Sequence, residues 1–167
     1  MGYLEHKELS PRQIDFVVLT ISDTRTEATD ESGRLIVSSL EEGGHRVREH
    51  LIIKNNPSEL LSRLESFLGR EDVGAVITTG GTGISRGDIT VETVNWLIEK
   101  KIDGFGELFR FLTYQEIGSG SIMSRALAGV AKGKVIICLP GSVDAVKLAV
   151  DRIILPEIGH LTREAMR

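Results

Sequence analysis

Between Val76 and Thr90 the chain reads VITTGGTGISRGDIT, and this stretch holds the residue types best suited to chemistry. Successive main-chain N–H groups in a glycine-rich turn form a concave nest that favours phosphate oxygens. A helix starting behind the turn adds partial positive charge. Gly80, Gly81 and Gly83 allow positive φ and let a ligand approach the backbone without meeting a Cβ. Thr79 and Thr82 add hydroxyls, Arg86 adds a forked cationic donor, and Asp88 places a carboxylate at the mouth. The predicted chemistry is the binding of a phosphorylated anion, with an acid placed to manage its counterion.

The elements that position this turn follow from the hydrophobic pattern. Asp15 to Ser22 and Val73 to Thr79 are nearly continuous apolar runs, as expected of parallel strands covered on both faces. Val47 to Ile53 alternates more, which suits an edge. Val135 to Leu139 is the last strong strand. Between them lie helical patterns: one capped by Asp30 and ended by Gly43-Gly44, one from Pro57 to Gly69, one over Thr90 to Lys100 and one over Leu108 to Ile117. Gly104 to Gly106 is expected to punctuate, Gly118 to Met123 to be irregular, and helices to run through Ala145–Ile153 and beyond Pro156. Strands alternating with helices predict one three-layer α/β/α domain with a mostly parallel sheet over residues 13–167, after a polar extension at 1–12. Ligands of such sheets bind at the carboxyl ends of the strands. There the polar segments Ser22-Asp23, Thr78 to Asp88 and Pro140-Gly141-Ser142 would converge.

Composition narrows the class. The 167 residues are 41% hydrophobic and 26% charged, with net charge −4, so a general nucleic-acid surface is not expected. No stretch reaches the length of a membrane span, and the polar N-terminus lacks a secretory core, which makes a cytoplasmic protein the default. The single cysteine, Cys138, sits in an apolar run and reads as core. His6, His45, His50 and His160 lack paired metal spacing and read as surface or packing residues. No G-x-G-x-x-G follows the first strand, and no glycine loop ends in Gly-Lys-Ser/Thr, so dinucleotide and P-loop sites are unsupported.

With Thr78 to Gly83 followed by Arg86, Asp88 and Thr90, the chain resembles the MoaB/MogA family of molybdenum-cofactor biosynthesis proteins, of the stand-alone MoaB type. The resemblance also rests on Ile21-Ser-Asp23, Asp30 with Gly33, Gly104-Phe-Gly-Glu107, Ser124-Arg125 and Leu139-Pro-Gly-Ser142, in that family's order. It implies a molybdopterin-binding α/β fold and assembly as a homotrimer or homohexamer. For catalytic members it implies AMP transfer from ATP to molybdopterin, with Mg²⁺ and release of pyrophosphate. Carried over residue by residue, it marks Asp88 and Asn55 as catalytic positions and Asp88 as the metal residue. Substrate binding falls to Ser22, Asp23, Thr79, Gly80, Gly81, Thr82, Gly83, Arg86, Glu107, Pro140, Gly141 and Ser142. A non-catalytic molybdopterin carrier is the alternative.

The proposed nucleophile, a phosphate monoester with second pKa near about 6, is already ionised near neutrality, so alignment of two anions matters more than a base. Gly80 to Gly83 would donate amides to one phosphate, and Ser142 a hydroxyl. Two readings stand for several residues. Asp88 orients Mg²⁺ or caps the helix starting near Thr90. Asp23 binds ligand or forms an Asx turn. Glu107 touches the pterin or a neighbouring subunit, or is a solvated acid. Arg86 binds phosphate or makes a rim salt bridge. Phe105, Phe109, Phe111 and Tyr114 serve an interface or the core. Asn55-Asn56 stands where catalytic members carry an acidic pair. An amide brings no negative charge, so this departure puts catalysis in doubt more than binding; if the missing charge limits turnover, Asn55→Asp raises it.

Overall fold

Strand β1 (Asp15–Ile21) is buried at every position after Asp15, and successive side chains serve opposite faces of the sheet. The computed structural model describes residues 9–167, so most of the polar extension at 1–12, and His6, lie outside the described residues. After β1 come α1 (Glu31–Glu42), β2 (Arg46–Ile53), α2 (Pro57–Leu68), β3 (Ala75–Thr79), α3 (Thr90–Leu97), β4 (Lys100–Lys101) and α4 (Asp103–Ile117). A 3₁₀ segment (Gly118–Met123), β5 (Leu127–Ala131), β6 (Lys134–Leu139), α5 (Val143–Ala149) and α6 (Leu155–Ala165) complete the order, with a π turn over Val150–Ile154 joining the last two helices.

The sheet runs β2-β1-β3-β6-β5-β4. The first four strands are mutually parallel, and β5 is antiparallel to both its neighbours. Phe16, Val18, Ile77 and Ile137 face one layer of helices, packing with Ile36 and Leu40 of α1, Phe109 of α4 and Ile158 of α6. Val17, Leu19, Val76 and Ile136 face the other, with Leu60 and Leu64 of α2 and Val94 of α3. This is the three-layer, mostly parallel architecture expected, with β2 at an edge.

The local chemistry explains the element ends. Asp30 Oδ1 accepts from Gly33 N at 2.9 Å and caps α1, while its Oδ2 accepts from Thr20 Oγ1 at 2.6 Å and lies 3.0 Å from His50 Nε2. Asn56 Oδ1 accepts from Glu59 N at 3.1 Å and caps α2, whose first residue is Pro57. Pro156 has no N–H to give the carbonyl four residues back, and the helix widens into its π turn just before it.

Four expectations need correction. The helix at Thr90 stops at Leu97 rather than Lys100, because Lys100 and Lys101 pair with Val130 and Gly129 as an edge strand. Gly104 and Gly106 do not break the chain but lie in the first turns of α4; a Cβ at Gly106 would stand 2.8 Å from Ala126 O, so glycine permits that helix to press on β5. Gly118–Met123 is a 3₁₀ helix rather than irregular chain. Strand β5 was not expected; it joins β6 through Lys132 and Gly133, both at positive φ, the two-residue turn that matches strand twist. Cys138 is fully buried in β6, and desolvation pushes its thiol up to about 12.

Candidate functional site

Chain order sends β1 to β2 on one side and then to β3 on the other, so the sheet reverses direction between β1 and β3. Crevices form outside the strand ends at such a reversal, and the glycine turn begins there. Gly80 (φ +92°) and Gly81 (φ +62°) are left-handed, and a Cβ on Gly80 would collide with the Ile21 carbonyl. A Cβ on Gly141 would lie 3.2 Å from Gly80 Cα, so the turns after β3 and β6 meet main chain to main chain. Thr79 Oγ1 donates to Pro140 O at 2.9 Å, and Ser32 Oγ donates to Gly141 O at 2.7 Å, fixing the two turns together.

The donor inventory differs from the expectation in two places. Gly80 N donates to Leu139 O at 3.1 Å, continuing the β3–β6 ladder, and so is not offered to a ligand. Thr79 is likewise committed to Pro140, and both Thr79 and Thr82 are buried. The amides of Gly81 and Thr82 have no acceptor among the described residues and remain for an anion.

Asp88 is not a helix cap: Ile89 occupies that position, and α3 has no side-chain cap. Instead Asp88 N donates to Ser85 O at 3.1 Å, closing a turn, and Asp88 Oδ2 accepts from Ser85 N at 3.0 Å and Ser85 Oγ at 2.6 Å. A Cβ on Gly83 would lie 2.5 Å from Oδ2, so Gly83 makes room for the carboxylate. The Ser85 hydroxyl, with help from the Ser85 and Gly83 amides and Arg125, holds the Asp88 carboxyl below its ordinary value against the opposing effect of partial burial. Arg86 and Gly87 form the exposed tip of this turn, and Arg86 makes no salt bridge among the described residues.

The first turn is organised differently. Ser22 Oγ accepts from the amides of Thr24 and Arg25 at 3.3 and 3.1 Å, so the serine closes the loop after β1. Asp23 is therefore not an Asx turn. Its Oδ1 accepts from Asn55 N at 3.0 Å and its Oδ2 from Asn55 Nδ2 at 3.1 Å. These bonds hold the Asp23 carboxyl below its ordinary value, with a smaller contribution from Lys54. Asn55 Oδ1 is a buried acceptor with no partner, and it faces the space a Cβ on Gly81 would fill. Ser142, exposed just before α5, makes no cap bond.

Two cavities open at this end of the sheet, on either side of β3 in the strand order, and neither is lined by the glycine turn itself. One, of about 610 Å³, lies over β1 and β2 and is lined by Asp23, Arg25, Arg34, His50 and Lys54 among others. The other, of about 320 Å³, lies beyond β6 and is lined by Asn95, Asp103, Glu107, Arg110, Ser124 and Arg125 among others. Glu107 thus belongs to the second cavity, on the exposed side of α4. Ser124 Oγ, in the same wall, is buried without a partner. Arg125 connects this cavity to the glycine turn: Nη1 donates to Gly83 O at 2.9 Å and Nη2 pairs with Glu92. Sequence reasoning did not place Arg125 in the site; a basic residue opening a strand antiparallel to β6 arrives at this same end, but that strand had to be seen first.

Among the described residues no group of three or more His, Cys, Asp or Glu side chains gathers as a metal cage. Mg²⁺ commonly uses one or two carboxylates plus substrate phosphates and water. Asp88 fits that requirement: Oδ2 takes the Ser85 contacts, leaving Oδ1 with coordination capacity. Asp23, with both oxygens accepting from Asn55, fits it less well.

A family profile described as a probable molybdopterin binding domain matches residues 17–160. The chain belongs to this family. Within the MoaB/MogA group, it is similar to molybdenum cofactor biosynthesis protein B of Bacillus cereus, at 45% identity over all of this chain and 99% of that protein. A crystal structure of a molybdenum cofactor biosynthesis protein B superposes with TM-score 0.90 at 45% identity, covering 93% of this chain and 98% of that one. The tungsten cofactor synthesizing protein MoaB from Pyrococcus furiosus superposes with TM-score 0.85 at 36% identity, covering 95% of this chain and all of its own. As in those MoaB relatives, the sheet and its two helical layers account for nearly the whole chain.

Proposed function

We propose that this chain is a molybdopterin adenylyltransferase acting in molybdenum-cofactor biosynthesis, with ATP and molybdopterin as substrates and Mg²⁺ as the metal. The observation that carries the reading is the pair of cavities on either side of β3, the strand that ends in the amide-lined turn. Transfer of a phosphoryl-linked group needs two ligand sites and a fixed cradle between them. Residues 17–160 supply the family context, and residues 13–167 are taken as one domain.

In this reading the pterin phosphate lies over the Gly81 and Thr82 amides, and one of its oxygens attacks the α-phosphorus of ATP. The bond to the bridging oxygen breaks and pyrophosphate leaves with the electron pair. Mg²⁺, when bound, neutralises phosphate charge. Asp88, already ionised and pinned by Ser85, orients it or its waters. Glu107 offers a carboxylate to the N–H donors of a pterin ring, and Arg125 holds the Gly83 carbonyl so that the cradle keeps its shape. Ser22, Asp23, Arg86, Pro140, Gly141 and Ser142 complete the rim. Mixing protein, molybdopterin, ATP and Mg²⁺ should release pyrophosphate; pterin binding without release removes the enzyme reading.

A second reading, a non-catalytic molybdopterin carrier, is favoured by one feature. Asn55 brings an amide where an acid would help hold a metal, and that amide donates to Asp23 Oδ2 while the Asn55 main-chain N–H donates to Oδ1. The same release measurement separates the two.

The proposal places the protein in the cytoplasm; no described helix is long and apolar enough to cross a membrane. It includes assembly as a homotrimer or homohexamer. Phe105 and Phe109 are buried, but Leu108, Phe111, Tyr114, Ile117 and Ile122 are exposed along α4 and the 3₁₀ segment and offer apolar surface for contact between copies. Sedimentation velocity gives the stoichiometry.

A further inference from the structure

Resting on the adenylyl-transfer reading, we propose that His50, Asp30 and Thr20 are positioning residues: their polar cluster locks the start of α1, and α1 in turn holds the Gly141 carbonyl and the glycine turn beside it. The sequence marks Asp30 as a helix cap and His50 as a surface or packing residue. The structure joins the two through Thr20 of β1.

Asp30, almost fully buried, is the node of the cluster. Its Oδ1 accepts from Gly33 N, and its Oδ2 accepts from Thr20 Oγ1 at 2.6 Å and stands 3.0 Å from His50 Nε2. His50 Nε2 is also 3.1 Å from Thr20 Oγ1, so β1, β2 and the start of α1 meet at one point. A Cβ on Gly33 would collide with Asp30 Oδ2, Thr20 Oγ1 and His50 Nε2 at once. Residue 33 is therefore bare to make room for all three, whereas a plain cap needs only Asp30 and one amide. A carboxylate only accepts, and the Thr20 hydroxyl spends its single hydrogen on Asp30. The Nε2 lying against both must carry a ring hydrogen, which fixes the neutral imidazole as the Nε2–H tautomer. Nδ1 makes no hydrogen bond among the described residues, and the ring lines the cavity over β1 and β2.

The cluster reaches the glycine turn through α1. Ser32, one residue inside that helix and buried, donates through Oγ to Gly141 O at 2.7 Å. Gly141 lies against Gly80, and the free amides of Gly81 and Thr82 follow directly. Any slide of the α1 start along β1 therefore carries Gly141 with it. Group transfer is sensitive to such shifts, because small misplacements of a cradle cost rate far more than binding.

The test compares His50→Leu, His50→Gln, which restores a side-chain N–H, Ser32→Ala, and the His50→Leu, Ser32→Ala double variant in steady-state pyrophosphate release. His50→Leu should lower kcat about tenfold or more with KM for both substrates unchanged, and His50→Gln should recover most of the loss. Ser32→Ala should slow turnover similarly, and the double variant should be no slower than the poorer single one, as for two links of one chain. Additive losses, a His50→Gln variant as slow as His50→Leu, or lower melting with unchanged kcat overturns the assignment. Nitrogen-15 NMR of ligand-free protein reads the same coupling without turnover. The Gly81 and Thr82 amide resonances should move in His50→Leu and in Ser32→Ala, and neutral His50 should carry its proton on Nε2. Unmoved amides or an Nδ1–H tautomer overturns the assignment. Failure of the parent reading looks different: the amides would move as expected, yet wild-type protein would release no pyrophosphate.

Discussion

Two aspartates stand at the carboxyl end of this sheet, and each is held in its charged form by a different kind of structure. Asp88 is fixed by Ser85, three residues away, in a turn that also sets the tip at Arg86 and Gly87. Asp23 is fixed by Asn55, 32 residues away, through both the main chain and side chain of the residue after β2. The first arrangement needs only a short piece of chain to form. The second exists only after β1 and β2 have paired in register. A carboxylate organised by its own turn keeps its geometry when a distant element shifts, and it keeps one oxygen for other work. A carboxylate organised across the sheet reports on the fold, and here has both oxygens engaged. Under the proposed function, the contrast suits Asp88 to metal-handling and Asp23 to loop alignment.

Removing the charge at the local site should have the largest effect. Asp88→Asn keeps the volume and should lower AMP transfer about a hundredfold or more, the scale seen when a fixed electrostatic group is lost, while molybdopterin still binds. Turnover at the wild-type rate would erase the functional difference between the two aspartates. Gly83→Ala tests the same carboxylate by steric means. The new Cβ would arrive 2.5 Å from Asp88 Oδ2, so the turn must shift, with an expected cost of about 1–3 kcal/mol read by denaturant unfolding and a parallel fall in pyrophosphate release.

Smaller effects are expected at the long-range site. Asn55→Asp discards the Nδ2 donor and sets a second carboxylate against Asp23. Without divalent cation the variant should melt a few degrees lower, and Mg²⁺ should recover the loss. If the amide is what limits turnover, activity rises at the same time; a variant indifferent to Mg²⁺ in both assays removes Asn55 from the account of metal binding. The smallest effect is acid titration. Both carboxyls are held below the ordinary value of 3.8, so the folded state binds fewer protons than the unfolded state around that pH. Their stabilisation is present above pH of about 4 and is lost as pH falls through the lower, folded values. Stability should therefore not change through these two groups between pH of about 5 and 8. In Asn55→Ala the Asp23 titration followed by carbon NMR should move up toward its ordinary value, while that of Asp88 stays in place. Coupled movement of both would show that the two turns are not independent.

The same distinction between local and distant causes explains what could be read from the sequence. Strands β1, β3 and β6 carry unbroken apolar runs, and Asp30, Pro57 and Gly69 mark helix ends through rules confined to a few neighbours. The glycine turn with Asp88 was legible for that reason too. Strand β5, Leu-Ala-Gly-Val-Ala, lacks that signal, because small residues carry little strand preference and its hairpin turn is Lys-Gly rather than Asn-Gly. Without β5, the arrival of Arg125 beside Gly83 could not be anticipated. The Asn55–Asp23 bonds were equally hidden, since they depend on the pairing of β1 with β2. The sequence pattern offers the Gly80 N–H to a ligand, and only the ladder to Leu139 shows that it is already used.

Where Gly80 lies against Gly141, the turns after β3 and β6 meet through peptide units. Such a junction cannot be retuned by exchanging one side group for another, since any added carbon meets backbone on the opposite wall. Under the proposed function, changes of preference between related compounds would therefore arise at the perimeter, at cavity-lining positions such as Glu107 or Lys54, while the common foundation stays the same for every guest.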